Sequence, residues 1–344
     1  MYKKVMLSGL MVGLVFVTVS VYGRGVLPLS GKVWESDSIS YHAPCWGEDN
    51  KIYFIKCVTF AKVTEKPSMV TGGNYFVYDV KYFLCTMNYD GTEKKEITEL
   101  LGKKARRAYK KEYRRYLEIT SLSDTYLDYC ITTKKLVYNI GDKSGIWTIE
   151  IDGINEKCIS PDGTHPSWSP DGNRIVYRIQ IVKGERGKDG FFKGPLEYYD
   201  SLWVMDANGS NKNKIFTEEV DIWVTSPIWS PKGDLIAFVC KGWIWVMKPD
   251  GSERRKVIKG SNVVSWFPDG KSLFVSSCRG WGKVDLEGNF ITRFEKYGYL
   301  SQDGRRMVGM GFKSIDVLTG DEIYLFDDIK HPKHFVYKRP DNIW

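Results

Sequence analysis

Two histidines stand where they could share a ligand. His42 and His165 each lie a few residues before a tryptophan that ends an apolar strand pattern, so both are expected at the same end of equivalent strands. Imidazole titrates near neutral pH and is the commonest metal ligand, but the other two histidines of the chain lie near its C-terminus. The sequence therefore predicts no metal site. It predicts a ligand site instead, with the candidates His42, His165, Asp200 and Asp221; the alternative is that these are ordinary polar residues at a cavity entrance.

Carboxylates are the second group that could do chemistry. Glu197, Asp200, Glu218, Glu219 and Asp221 fall in two neighbouring stretches, and paired acids can cleave glycosidic bonds. Their spacing singles out no pair, however, and the chain has no Gly-x-Ser-x-Gly elbow, phosphate-binding loop, dinucleotide fingerprint or His-Glu-x-x-His motif. We predict no catalytic residue and no cofactor. The alternative is a carbohydrate-active lyase or hydrolase.

The elements that must position these residues are repeats. The stretch 166–177 reads Pro-Ser-Trp-Ser-Pro-Asp-Gly-Asn-Arg-Ile-Val-Tyr, and copies follow at 229–238, 266–275 and, in degraded form, 300–308. Weaker copies precede it at 44–54 and 129–138. Proline fixes φ in a tight turn, aspartate bonds its own backbone and glycine accepts the left-handed conformation, so each copy predicts a hairpin.

A second hairpin follows the first in each unit. Asp-Gly, Asn-Gly or an equivalent pair recurs at 90–91, 152–153, 208–209, 250–251, 287–288 and 319–320, between alternating apolar runs. Six units of four strands result, and stacked repeats of this size hide each other's apolar faces. We predict an all-β fold: a six-bladed β-propeller of four-stranded antiparallel blades, with a channel on its axis and one inserted amphipathic helix.

The two kinds of turn and the strand between them carry a family resemblance. The Trp-Ser-Pro-Asp-Gly turn and the later Asp-Gly-Ser turn resemble the TolB-like, WD40-like β-propeller repeat over about residues 40–326, most clearly over 165–294. The resemblance implies a β-propeller fold. Too few residues precede the first unit for the additional N-terminal α/β domain of TolB-type proteins, so the expectation is a propeller without that domain.

The N-terminus predicts export. Two lysines, an apolar run and small residues before Gly23 make 1–23 a signal peptide, which places the chain in the periplasm or outside the cell; the alternative is an uncleaved anchor in the inner membrane. We expect no structural disulfide among the seven cysteines, because they are not spaced as a framework. The remaining boundaries are an extension at 24–39, blades at 40–98, 126–160, 164–216, 224–258, 262–294 and 298–326, a basic helical insertion at 99–120 and a tail at 327–344.

Insertions gather on one face of the predicted ring. The long pieces are 58–80, 99–125, 180–201 and 216–225, and all join strands at the face opposite the short turns. Insertions on one face of a repeat scaffold usually mark its binding face. The first three blades should therefore build the binding site, over the mouth of the channel.

The insertion after the first blade predicts a basic helix. Its apolar residues recur at helical spacing and its other face is basic, so it holds most of the formal net charge of +8. We predict a monomer that binds a protein or another anionic macromolecule; an anionic membrane surface is a second candidate, and export disfavours nucleic acid. The alternative is a helix that merely solvates its charges. The predicted partner-binding residues are Lys103, Lys104, Arg107, Lys110, Lys111, Arg114 and Arg115, with the loop aromatics Phe191, Phe192, Tyr198, Tyr199 and Trp223.

Overall fold

Short strands joined by tight turns make up the protein. The computed structural model describes residues 19–22, 34–64, 75–101, 125–141, 145–186, 192–219, 225–277, 279–295, 298–309 and 312–326. Within these ranges the chain forms twenty-four strands, one 3-10 turn at Glu48–Asn50 and no α-helix. Every strand pairing is antiparallel between neighbours in sequence, which confirms the all-β prediction.

Four strands make up each repeated sheet. Sheet one holds β1 (Val19–Tyr22), β2 (Trp34–Trp46), β3 (Lys51–Thr64), β4 (Tyr75–Asn88) and β5 (Lys95–Leu100). Sheet two holds β6 (Tyr126–Cys130), β7 (Lys135–Asn139), β8 (Ile146–Glu150) and β9 (Lys157–Ser160). Sheet three holds β10 (Thr164–Trp168), β11 (Arg174–Arg186), β12 (Phe192–Asp206) and β13 (Asn213–Glu219). The additional strand β1 lies within the predicted signal peptide and pairs with the first half of β2.

The next seven strands form one hydrogen-bonded sheet. It holds β14 (Thr225–Trp229), β15 (Ile236–Cys240), β16 (Trp243–Met247), β17 (Arg255–Trp266), β18 (Ser272–Ser277), β19 (Gly280–Asp285) and β20 (Phe290–Phe294). The first half of β17 pairs with β16 and the second half with β18, so β17 ends sheet four and begins sheet five. Sheet six holds β21 (Gly298–Leu300), β22 (Arg306–Gly309), β23 (Lys313–Asp316) and β24 (Glu322–Tyr324).

The Ser-Pro-Asp-Gly turns have the geometry that their residues predict. In the turn at 169–174 the Gly172 amide donates to the Ser169 carbonyl at 2.9 Å, and Gly172 has a φ of +71°. The Ser169 hydroxyl donates to the Arg174 carbonyl and accepts from its amide. Ser230 and Ser301 repeat the amide-to-hydroxyl bond in their own sheets. An equivalent serine therefore organises the same hairpin in three different sheets.

Turns of the Asp-Gly type dock sheets two to five on the sheet before them. At Gly209 and Gly251, φ is +90° and +85°, and an added Cβ would lie 2.2 Å from the carbonyl oxygens of Ile159 and Ile215 in the outer strands of the preceding sheets. Only glycine allows this approach. The turn of sheet one makes the same kind of close approach to sheet six. An added Cβ at Gly91 would lie 3.0 Å from the carbonyl oxygen of Leu325, just after β24.

Sheet one packs on sheet six. The ring of Tyr41 stacks on that of Phe326 with centroids 4.0 Å apart, and the Trp46 indole N–H donates to the Tyr299 carbonyl at 2.7 Å. A buried apolar cluster that includes Phe54 and residues of both sheets surrounds these contacts. The first strands of the sheets also contact one another in sequence order, and β2 contacts β21. The two ends of the repeat array are therefore in contact.

Several predicted loops are strands. The stretch 58–80 continues β3 and β4, which pair residue by residue as far as Thr64 and Tyr75, and 180–201 continues β11 and β12 to the pair Arg186 and Phe192. These insertions are extended hairpin arms, because alternating β-branched and aromatic residues lengthen the ladder rather than leave it. In 216–225, Phe216 is a buried core residue of β13.

The predicted helical insertion needs a correction at its start. Glu99 and Leu100 end β5, where Leu100 is fully buried, and the rest of the insertion, 102–120, lies outside the described residues. Six of the seven cysteines are described and each is free. Within the described part of the chain, no helix has the length and apolar character needed to cross a bilayer.

Candidate functional site

A cavity of about 800 Å³ lies where the first strands of all six sheets meet. Residues of β2, β6, β10, β14, β17 and β21 line it. Since each of these strands is the first of its sheet, the cavity occupies the axis around which the sheets are arranged. A pocket of this size accommodates a small molecule or a short segment of a partner.

The walls of the cavity are aromatic and mostly uncharged. Its described lining includes one carboxylate, Asp128, two histidines, and neither lysine nor arginine. Hydroxyl and amide groups, such as those of Ser167 and Asn262, are scattered among the rings. The aromatic lining residues are Tyr41, Trp46, Tyr126, Tyr129, Trp168, Trp229, Trp266, Trp281, Tyr299 and Phe312.

His42 and His165 both line this cavity. His42 is buried and its Nε2 lies 2.7 Å from the Ser40 hydroxyl oxygen. Burial lowers the pKa of His42 to about 4. Keeping this imidazole neutral therefore favours folding above pH 6.5, and that contribution is lost as the pH falls towards 4.

His165 is held in a strained bulge of β10. Its φ is +56°, a value uncommon outside glycine, and its backbone N–H donates to the Asn139 side chain at 3.0 Å. The Tyr126 ring covers its imidazole with centroids 3.8 Å apart. Burial, and then the nearby Arg178 guanidinium, hold the pKa of His165 well below its usual value. Both cavity histidines are thus neutral at pH 7.

Asp128 in β6 is the charged group of the cavity. Its carboxylate accepts the backbone N–H groups of Trp168 at 2.7 Å and of Tyr129 at 3.0 Å, and a hydrogen bond from the Ser167 hydroxyl. The side chain is half-buried and partly open to the cavity. Desolvation raises the pKa of Asp128 to about 6 against the effect of these donors. It is therefore ionised at neutral pH but close to titration.

Asp200 lies behind the residues that line the cavity and is not one of them. It is fully buried in β12, and both of its carboxylate oxygens accept hydrogen bonds from the Arg178 guanidinium, at 2.9 to 3.1 Å. Arg178 pairs with Thr164 in β10, which places the ion pair beside His165. The sequence grouped Asp200 with the histidines, and the structure links them through Arg178. Asp221 lies outside the described residues.

The predicted partner-binding residues are divided between the arms and undescribed segments. Phe192, Tyr198 and Tyr199 belong to strand β12 rather than to a loop, and Tyr199 is partly buried. Phe191 and Trp223 lie outside the described residues, as do the basic residues Lys103, Lys104, Arg107, Lys110, Lys111, Arg114 and Arg115. Among the described candidates, the structure therefore brings the two histidines together in the cavity and places Phe192, Tyr198 and Tyr199 in β12.

Sequence reasoning missed Asp128. Asp128 lies one residue before Tyr129. Ser167 holds the equivalent position before Trp168 in sheet three. The weak copy at 129–138 hides this equivalence because its turn, Ile131–Lys134, has neither proline nor glycine. An alignment of the units by strand pattern alone, without the turn, would have identified it.

Comparisons with known proteins support a limited relationship. No family model matches the chain. A stretch of 69 residues is 45% identical to the Tol-Pal system protein TolB of Wolbachia pipientis wMel, and equally to that of the Wolbachia strain wRi from Drosophila simulans, covering 19% of this chain and 16% of each relative. The chain thus matches about a sixth of the length of these relatives, so the similarity to TolB is partial.

Other similarities are more remote. A stretch of 142 residues is 23% identical to a probable dipeptidyl-aminopeptidase B of Emericella nidulans, covering 35% of this chain and 14% of that protein. An oligogalacturonate lyase in complex with manganese aligns over 92% of this chain and 89% of its own, at 13% identity and a TM-score of 0.47. The structure of a nidogen/laminin complex aligns over 75% and 89%, at 9% identity and a TM-score of 0.45. Nothing about the chemistry of this chain follows from such distant likenesses.

Proposed function

We propose that this chain is an exported six-bladed β-propeller that binds a protein partner through one face of its ring. The observation that carries the proposal is the axial cavity lined by the first strands of all six sheets, with two hairpin arms beside it. The contact between sheets one and six supports closure into a ring, and the N-terminal sequence pattern supports export. In such a ring, aromatic walls around an axial opening make a ready anchor site for a partner.

The topology favours one particular face. Each sheet has two connections at the end where its first strand begins. One joins the second strand to the third, and the other leads to the next sheet. Both arms are second-to-third connections, β3 to β4 and β11 to β12, and the basic segment 103–115 joins two sheets. This puts the two arms at one end of the axis, and it supports our proposal that the basic segment of the sequence contributes to the same face, where an acidic protein surface would meet both.

A binding role is favoured over carbohydrate cleavage. Glycoside hydrolysis by the common route needs two carboxylates flanking the bond. The described lining of the cavity offers one, Asp128, since Asp200 is occupied by Arg178. Relatives of both kinds exist among the similar proteins, a Tol-Pal system protein and an oligogalacturonate lyase, so the residues of the cavity are the better guide.

Charge reversal on the proposed face tests the proposal. A pull-down with the full chain identifies the partner, and purified partner is then titrated against a variant with Lys110, Lys111, Arg114 and Arg115 replaced by glutamate. We expect affinity to fall about tenfold or more, because attraction between complementary surfaces becomes repulsion. The fall should shrink at high salt.

The opposite face supplies the matched control. Lys134, Lys232, Lys271 and Arg305 lie in the short turns at the other end of the sheets, so replacing these four by glutamate alters net charge equally. Partner affinity should then stay within about twofold, as expected of charges outside the interface. Equal losses in both variants would show a general charge effect, and unchanged affinity in the first would remove the basic segment from the interface. Capture by anionic vesicles or glycan alone would point to the other anionic partners.

A further inference from the structure

We propose that Asp128 makes the axial cavity a receptor for a cationic group, an ammonium or guanidinium attached to an apolar body. This deepens the proposed function, on which it rests, by specifying what the partner inserts. The inference begins from a charge that has no counterion within the described part of the chain.

The groups that contact Asp128 are neutral hydrogen-bond donors. They are the backbone N–H groups of Trp168 and Tyr129 and the Ser167 hydroxyl. Within the described part of the chain, no lysine or arginine forms an ion pair with Asp128. The contrast with Asp200, which receives a bidentate arginine, is clear. Buried carboxylates are normally paired, because an uncompensated charge in a low-dielectric site is costly.

The rest of the described cavity lining carries no positive charge. His42 and His165 are neutral at pH 7, because burial lowers the pKa of each. The described lining holds no lysine or arginine. The cavity therefore carries a net negative potential, which low-dielectric walls concentrate.

The walls complete a site for a cation. Tyr126 and Tyr129 lie within two residues of Asp128 on β6, the Trp168 backbone binds the Asp128 carboxylate, and all three aromatic residues line the same cavity as Asp128. Aromatic faces attract ammonium and guanidinium groups and accept apolar carbon beside them. An acidic ligand, including an acidic sugar, would instead meet a carboxylate and no described cation. The chemistry thus selects a cation over a neutral or anionic ligand of the same shape.

Three probes of one shape test the selection. Benzylamine, benzyl alcohol and benzoate are titrated against the full chain at pH 7.5, by calorimetry and by the tryptophan fluorescence of the cavity. We expect benzylamine to bind about tenfold or more tightly than benzyl alcohol, and benzoate most weakly. In Asp128→Asn the amine and the alcohol should bind equally, with the affinity for the alcohol unchanged. Equal binding of all three probes to the native chain would overturn the proposal, and so would an amine preference that survives Asp128→Asn.

Measuring amine binding at a series of pH values tests the proposal even if the Asp128→Asn variant does not fold. Protonation of Asp128 should weaken amine binding about tenfold between pH 7 and pH 5, since benzylamine stays charged throughout. The other titratable groups shown facing the cavity include His42, His165, Cys45 and Tyr129; each histidine would add positive charge only at more acid pH, and the pKa values of Cys45 and Tyr129 are raised. Amine affinity that is constant over this range would contradict the proposal.

A fourth pair of probes identifies the source of the cation. Nα-acetyl-lysine amide and its Nε-acetylated counterpart differ only in the side-chain charge. Preference for the charged form assigns the site to a partner's side chain, whereas benzylamine binding without lysine binding assigns it to a free amine; both retain the cationic site. Loss of amine preference with intact partner binding on the arm face would reject this inference and leave the proposed function standing.

Discussion

Replacing Gly251 with alanine should lower the free energy of unfolding by about 2–5 kcal/mol, the sum of left-handed strain and an overpacked contact. Gly251 has a φ of +85°, and its new Cβ would lie 2.2 Å from the Ile215 carbonyl oxygen in the outer strand of sheet three. That oxygen belongs to the backbone of strand β13, so it cannot rotate aside as a flexible side chain would. The two sheets would have to separate.

Gly242 in the same sheet supplies the control. Its φ of +71° is similarly left-handed, but no atom lies within 4 Å of the position that an added Cβ would take, so Gly242→Ala should cost about 1–2 kcal/mol. Urea unfolding followed by tryptophan fluorescence gives both values. Equal costs would mean that the Asp-Gly turn of sheet four does not dock on sheet three.

Replacing Arg178 with methionine should cost about 3–5 kcal/mol, because it leaves the carboxylate of Asp200 buried without its partner. Arg178 is 3% exposed and Asp200 is not exposed at all, so water cannot take the place of the guanidinium.

The double variant separates charge from packing. Arg178→Met with Asp200→Leu removes both charges, and we expect it to recover at least half of the loss, since well-packed apolar pairs replace buried ion pairs at little cost. Thermal unfolding of the native chain, both single variants and the double variant completes the cycle. Strictly additive losses would show that the two residues do not depend on each other.

Much of the fold could be predicted because its turns are chemically explicit. Proline, aspartate and glycine at fixed offsets dictate the hairpin at Ser169 and its copies at Ser230 and Ser301, and the structure has the same serine-centred bonds in all three. The strand pattern and the antiparallel pairing follow. The helix predicted from Glu99 is less informative, since its first two residues continue β5, Leu101 follows in a bend, and 102–120 are not described.

The errors come from features that one sequence does not mark. The arms around 58–80 and 180–201 exceed the strand length that the other units suggest, although the run Tyr75–Val80 is typical of a strand. Asp128 escaped notice because its unit has lost the turn that locates the others. Burial decides the roles of Asp128 and Asp200. A sequence shows which residues are acidic, but not which of them forms an ion pair with an arginine.

The central claim is that the first and last sheets meet and so enclose the cavity, and the contact between Tyr41 and Phe326 tests it most directly. These rings stack with centroids 4.0 Å apart although most of the chain separates them in sequence. A double-mutant cycle with Tyr41→Leu and Phe326→Leu, measured by urea unfolding, should give a coupling free energy of about 0.5–1.5 kcal/mol. A coupling of zero would contradict the account, because sheets one and six would then not be in contact and the axial cavity would not be closed.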